Sequence, residues 1–512
     1  VRAPEGFQEK LNAELVTEGW ENRIMDIMIR NGLIVDGSGK KGFRGDVGIA
    51  GERIRAVGKV PGDAPTIIDA AGMVVAPGFV DIHAHSDFAL LKNPGASEKL
   101  MQGVTTNVVG NCGLSPAPAN EGVMQYFQSF LKFVFGEGSV RGFPILGDYL
   151  RALEQSGSSL NVASYAAHGI IRYHVTQLSP DPPSEEELER MKTLVRHAME
   201  DGAFGLSSGL IYPPGNFAET RELIELCNVV AEYDGVYSTH IRDEGERLEE
   251  AVSEAIEIGG SAGVAVQIAH HKAHGEANWG KSERSLKLIE RARSEGIDLT
   301  ADQYPYTASS TVLGAVLALK DLDPEKVLIA SAKYDHSLEG KRLSEIAKER
   351  GKSARDVADE INSDEDGAVM AIFFEMHEDD VVRIMKHPTT MIGSDGAETE
   401  GGKPHPRLYG TFPRVLGRYV REKRVLTLEE AVKKMTSMSH QKLGIKDRGL
   451  IKEGYFADIV VFDPDKIADT ATYENPRSFP VGIPHVLVNG TLAVKDGKQT
   501  DALAGKVLRK NR

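Results

Sequence analysis

Cysteine is nearly absent: the 512-residue chain has two, too few for a disulfide framework, so a cysteine that matters here acts as a metal ligand or a catalyst. Positive charge is also short. Sixty Lys and Arg stand against 75 Asp and Glu, and the formal net charge of -15 excludes a basic nucleic-acid surface and a polybasic membrane anchor. No apolar run reaches about 18 residues, the length of a membrane-spanning helix. The opening stretch VRAPEGFQEKLNAELVTEGWENR is polar and unlike a signal peptide, although a start at Val1 leaves room for an upstream segment. These absences lead to the expectation of a cytoplasmic globular protein whose partner is a small molecule rather than nucleic acid or a membrane. Oligomeric state is not legible.

With 41% hydrophobic and 26% charged residues, the chain has ample material for packed cores. Residues 25–70 carry short β-patterned runs (DIMIRNGLIV, GDVGIAG, ERIRAVGKV, TIIDA) broken by Gly and Asp, and ADIVVFDP, HVLVNGTLAV and KVLR repeat that texture near the end. One β-sandwich built from both chain ends is expected, with parts at 25–78 and 441–512. Between them, VDIHAH, TNVVGNC, NVASYAAHG, AFGLSSGL, VYSTHIR, VAVQIAHHK, DLTADQYPY and TMIGSDG alternate with amphipathic helical patterns such as SEEELERMKTLVRHAMEDG and ERLEEAVSEAIEIGG. Eight strands alternating with helices imply an α/β fold, a (β/α)8 TIM barrel over 79–440. The long span from Thr307 to Thr390 separates the seventh and eighth strands. Helical stretches inside it predict a folded insertion at about 307–390, over the barrel mouth and able to act as a lid.

Barrel active sites sit at the C-terminal ends of the strands, so polar residues that close apolar runs are the candidates. His83 and His85 close the first strand, and a period of two puts both on one face, pointing into the barrel. A histidine pair on one face is a common zinc motif and equally a pair of satisfied strand-end histidines. Cys112 ends the second strand between Gly110 and Gly113, where a thiolate would meet a metal; Cys227, inside RELIELCNVV, reads as core packing. His240 ends the fifth strand, His270 the sixth and Asp395 the eighth. Any one alone says little, but together they read as a metal site. His271 should face the opposite side of its strand from His270. His197, His336, His377, His387, His440 and His485 fall in helices, the insertion or the downstream region and are given ordinary structural roles.

With these residues placed, APGFVDIHAHSD resembles the opening of the amidohydrolase superfamily, and GVTTNVVGNCGLSPAP, GLSSGLIYPPG, THIRDEGE, IAHHKAHG, DQYPYTASST and IGSDGAE are together similar to its D-aminoacylase branch. Many superfamily members bridge two metals through a carboxylated lysine on strand four. AFGLSSGL has no lysine, and the resemblance gives the bridging role to Cys112. It implies a tight zinc on Cys112, His240 and His270, and a second, weaker site on His83, His85 and Asp395. It further implies hydrolysis of the amide of N-acyl-D-amino acids with Asp395 as general base. Tyr212 would assist at the oxyanion, while Lys272, Arg407 and Tyr304 would hold the substrate's free carboxylate. Tyr306 is close enough to exchange with Tyr304. Three alternatives stay open: a cyclic amidase, a prolidase-like dipeptidase, and a metal-free scaffold protein.

Overall fold

The computed structural model describes residues 25–127, 141–317, 323–399 and 401–510. The polar leader, residues 318–322 of the expected insertion and the last two residues of the chain lie outside the described residues. Both chain ends meet in one nine-stranded sheet. Ile27–Ile34 pairs antiparallel with Phe43–Ala50 and parallel with Thr66–Asp69 and Val74–Pro77. Val74–Pro77 in turn pairs antiparallel with Ile459–Phe462, and this pairing joins the two ends of the chain. Because side chains alternate along a strand, the sheet has two apolar faces with separate tasks. Ile29, Val47, Ile49, Val75, Ile459, Val461 and Leu487 enclose a local core. Val74, Ala76, Val460, Phe462, Val486 and Val488 instead join the large core shared with the barrel.

The barrel strands are Phe79–Asp81, Val104–Val109, Asn161–Ser164, Gly205–Gly209, Val236–His240, Ala265–Ile268, Leu299–Gln303 and Thr390–Ile392. They pair in parallel, in chain order, as a ladder of the first three and a ladder that runs from Ala166–Ala167 through the eighth. A short parallel pair, Ala84–His85 with Gly396–Ala397, closes the ring between the eighth strand and the first. The helices between strands bury one stripe each. Glu185–Asp201 buries Leu188, Met191, Val195, Ala198 and Met199; a Ser184–Glu187 capping box starts it and a left-handed Gly202 ends it. The fold is thus a (β/α)8 barrel beside a β-sandwich fed by both chain ends.

Between the seventh and eighth strands lies a unit with its own apolar core. Two helices, Leu343–Arg350 and Ala354–Asp364, pack on a three-stranded antiparallel sheet with Val369–Phe373 between Ser309–Val312 and Val327–Ala332. Its helices are legible in the sequence and this sheet is not, because runs such as VLIASA are too short to separate strand from helix by period. After it, Glu378–Lys386 returns to the barrel wall, where Asp380 and Arg383 hydrogen-bond Ser282 at the start of Ser282–Ser294. Among the described residues no helix is long and apolar enough to cross a membrane.

Candidate metal centre and active site

Six candidate ligands converge at one end of the barrel, mostly from turns just past the strands rather than from the strands themselves. The first strand stops at Asp81, so His83 and His85 lie beyond it and are not simply alternate residues of one strand face. The closing pair Ala84–His85 with Gly396–Ala397 is what sets His85 beside Asp395. Of the eight barrel strands, one ends on a candidate ligand, Val236–His240. Cys112, His270 and Asp395 have φ of 52°, 34° and 50°, the left-handed region that side chains other than Gly enter at a cost of about 1–3 kcal/mol. Three such residues at one centre mark backbone bent to aim side chains.

The Cys112 sulfur stands 3.3 Å from His83 Nε2, 3.5 Å from His270 Nε2 and 3.9 Å from His240 Nδ1. Asp395 Oδ1 lies 3.1 Å from His85 Nε2 and 3.6 Å from His83 Nε2. Two ligands on one tetrahedral zinc, with Zn–S about 2.3 Å and Zn–N about 2.05 Å, leave sulfur and nitrogen about 3.6 Å apart. The donor set and its spacing therefore fit zinc. The ligand atoms form three overlapping groups: His83, Cys112 and His270; His83, His85 and Asp395; and His240, Glu244 and His270. This partition differs from the sequence expectation on two counts: His83 is common to the thiol and carboxylate groups, and His240 falls with Glu244 and His270 rather than with Cys112. No lysine lies on the fourth strand, GLSSG.

Charge in the cluster is strongly coupled. Burial opposes ionisation of Cys112, yet the charge of His83 and the contacts with His240, His270 and His83 hold the thiol well below its usual range. Burial likewise disfavours a charged His83, but Asp302 and Cys112 outweigh it and raise the imidazole. His85 is raised to about 9 against the effect of burial, chiefly by its hydrogen bond to Asp395. Asp395, buried, is held well below the carboxylate range, with Arg407 the leading partner.

The expected carboxylate-binding cations both carry protein partners. Lys272 Nζ donates to Glu244 and lies 2.9 Å from His270 Nδ1, although its strand has already ended at Ile268. Arg407 Nη2 is 2.9 Å from Asp395 Oδ2 and donates to Ser310 O at 3.2 Å, while its Nη1 is buried with no hydrogen-bond partner. A buried guanidinium N–H without a protein partner is costly unless a ligand satisfies it. Tyr304 lies under Arg407, whose guanidinium carbon is 4.6 Å from the ring centroid. Tyr306 instead packs with His405 and Arg414 and donates to Pro406 O, so Tyr304 is the tyrosine that adjoins both cations. Tyr212 sits edge-on to His240 and hydrogen-bonds Thr311 of the inserted sheet at 2.9 Å. A pocket lined by Ser310, Ala330, Met370, Ala397, His405 and Arg407 opens between that sheet and the barrel.

Sequence reasoning missed three supports of this cluster. Asp302, in the seventh strand, lies 3.3 Å from His83 Nδ1 and accepts the His270 backbone N–H at 2.8 Å. Glu244 faces both His240 and His270. Lys99, fully buried, donates at 2.7 Å to Asp81 and to Ser394, the residue before Asp395. Asp302 was detectable as an acid closing an apolar strand in LTADQ, the same signal that singled out Asp395; Glu244 and Lys99 carried no comparable signal. His271 faces away and bonds Ser285 at 2.8 Å. His336, His387, His440 and His485 meet Glu339, Glu290, Thr436 and Asp496, His377 caps a helix at Asp379, and His197 lies within Glu185–Asp201.

The Amidohydrolase family profile matches residues 66–494. A D-aminoacylase of Alcaligenes xylosoxydans xylosoxydans is 41% identical over 95% of this chain and 98% of its own length. An N-acyl-D-glutamate deacylase of the same organism is 40% identical over 95% and 97%. The crystal structure of N-acyl-D-glutamate deacylase from Bordetella bronchiseptica, complexed with zinc and a phosphonate mimic of the tetrahedral intermediate, is 38% identical. It superposes with a TM-score of 0.86 over 95% of this chain and 100% of that one. The strand-end cluster and matches that span nearly the whole chain agree: this protein belongs to the amidohydrolase family, in its D-aminoacylase branch.

Proposed function

We propose that the protein hydrolyses the amide bond of N-acyl-D-amino acids with zinc as cofactor, releasing a carboxylate and a free D-amino acid. The observation that carries this reading is the unpartnered Arg407 Nη1 beside six converging zinc-type ligands, a cation for a substrate carboxylate next to a hydrolytic centre. Relatives named for the same reaction across nearly the full chain support it. Cys112, His240 and His270 would hold the tighter zinc, and His83, His85 and Asp395 the weaker. Bound there, zinc acts as a Lewis acid that polarises the acyl carbonyl and acidifies water.

Asp395 is the general base. Its carboxylate, ionised at neutral pH and paired with Arg407, accepts the proton of water as the new C–O bond forms at the acyl carbon. As the C–N bond breaks, Asp395 returns that proton to the departing amine nitrogen. The Tyr212 hydroxyl, held by Thr311, donates to the developing oxyanion. Arg407 Nη1, Lys272 and Tyr304 take the substrate carboxylate, and the inserted strand Ser309–Val312 borders the site through Ser310 and Thr311, which bond Arg407 and Tyr212.

The test is kcat/KM for paired N-acetyl-D- and N-acetyl-L-amino acids, their carboxamides, and dipeptides, with zinc stoichiometry measured on the same protein. Turnover should be confined to the D series with a free carboxylate. Preference for dipeptides or for carboxamides would replace this reading.

A further inference from the structure

His240 and His270 share an arrangement that the choice of ligands does not explain. Each turns one ring nitrogen to the Cys112 sulfur, His240 Nδ1 at 3.9 Å and His270 Nε2 at 3.5 Å. Each turns the other nitrogen to the same carboxylate. His270 Nδ1 lies 3.0 Å from Glu244 Oε1, and His240 Nε2 lies 3.6 Å from Glu244 Oε2, where it is buried and makes no hydrogen bond. One side chain therefore spans the far edges of both rings, one oxygen to each. Its backbone is anchored too: the Glu244 carbonyl accepts the His274 N–H at 2.8 Å, which ties the loop after the fifth strand to the loop after the sixth.

We propose that Glu244 is a positioning residue for the metal centre, accepting the far N–H of both imidazoles so that His240 Nδ1 and His270 Nε2 present lone pairs to the ion. This rests on the reading of Cys112, His240 and His270 as zinc ligands. The physical reason is tautomeric: a neutral imidazole carries one N–H, and a partner on the far nitrogen decides which nitrogen is left to bind. Lys272 makes the choice consequential. Its Nζ is 2.9 Å from His270 Nδ1, and donation there would put the ring proton on Nε2, facing the sulfur, and remove His270 as a ligand. Glu244 competes for both groups: it accepts from Lys272, and the same oxygen lies 3.0 Å from His270 Nδ1. The same carboxylate thus joins the substrate-binding lysine to the metal histidines.

Zinc affinity of metal-stripped protein, measured by competition with a chromophoric chelator, tests the proposal without any turnover assay. Glu244→Gln keeps the shape but replaces one acceptor oxygen by an N–H donor, which forces one ring into the wrong tautomer. It should weaken zinc binding by about 10–100-fold, while the metal-free variant melts as the metal-free parent does. Cys112→Ala, run in parallel, must lose zinc. If it binds zinc like the parent, the ligand reading fails and this inference falls with it; if only Glu244→Gln binds like the parent, Glu244 alone loses its role. Long-range proton–nitrogen spectra of histidine-labelled, zinc-loaded parent protein give a second answer that needs no variant to fold. The N–H should lie on Nε2 of His240 and Nδ1 of His270, and a proton on Nε2 of His270 would overturn the proposal.

Discussion

Cys112 and Cys227 share a side chain and differ in all that surrounds it. Cys227 is buried in the helix Thr220–Ala231, where desolvation alone pushes the thiol up and keeps it neutral. At Cys112 three imidazoles reverse the effect of burial. Cys112→Ala is expected to lower zinc content and activity together, whereas Cys227→Ala should leave both unchanged; equal harmlessness would remove the thiolate from the site. Asp395→Asn isolates the proton transfer. Asparagine keeps the shape but cannot accept a proton, so kcat should fall by about 10²–10⁴ with KM little changed. The tight zinc should remain, since Cys112, His240 and His270 are untouched. Retained kcat within a few-fold of the parent would end the general-base assignment. These positions were legible because a polar residue closing an apolar run is a local signal.

At the scale of elements, the turns past the strands set the geometry. Gly110 begins the turn that carries Cys112; it has φ of 77°, donates its N–H to Asp87 at 2.7 Å, and a Cβ there would stand 2.4 Å from the Tyr165 carbonyl oxygen. Gly110→Ala must therefore push the second strand's turn away from the third strand. The expected result is a loss of about 1–3 kcal/mol of stability, together with weaker zinc binding, although no ligand has changed. Thermal melts and zinc titration of that variant check it, and parental values in both would mean that the turn does not position Cys112. GNCG announced a tight path in the sequence. It did not announce that Cys112 itself is left-handed, since a residue other than Gly enters that region only where the surrounding structure holds it there.

Across the whole molecule, the cluster gathers chain from the ends of the first, second, fifth, sixth and eighth strands. An ion bound there cross-links segments far apart in sequence, and a ligand that binds only the folded state stabilises it by about 2.7 kcal/mol at one hundred times its Kd. Stripping the metal should lower Tm, and adding zinc back should restore it. Identical melting with and without metal would show that no ion joins these strand ends.

Two periodicities, 3.6 and 2, together with turn residues, were enough to read the alternating barrel and the β runs at both ends, because both depend on neighbours along the chain. His83, His85, Cys112, His240, His270 and Asp395 stood out for the same reason: each interrupts an apolar run at its end. What tertiary structure alone decided is what each of these side chains faces. Arg407 meets Asp395, Lys272 meets Glu244, and Asp302 meets His83 across 12, 28 and 219 residues of chain respectively. Such pairings follow from the closure of the ring and the fold of the inserted sheet. A buried charge takes the partner that the packed barrel brings to it, and no local pattern encodes which one that is.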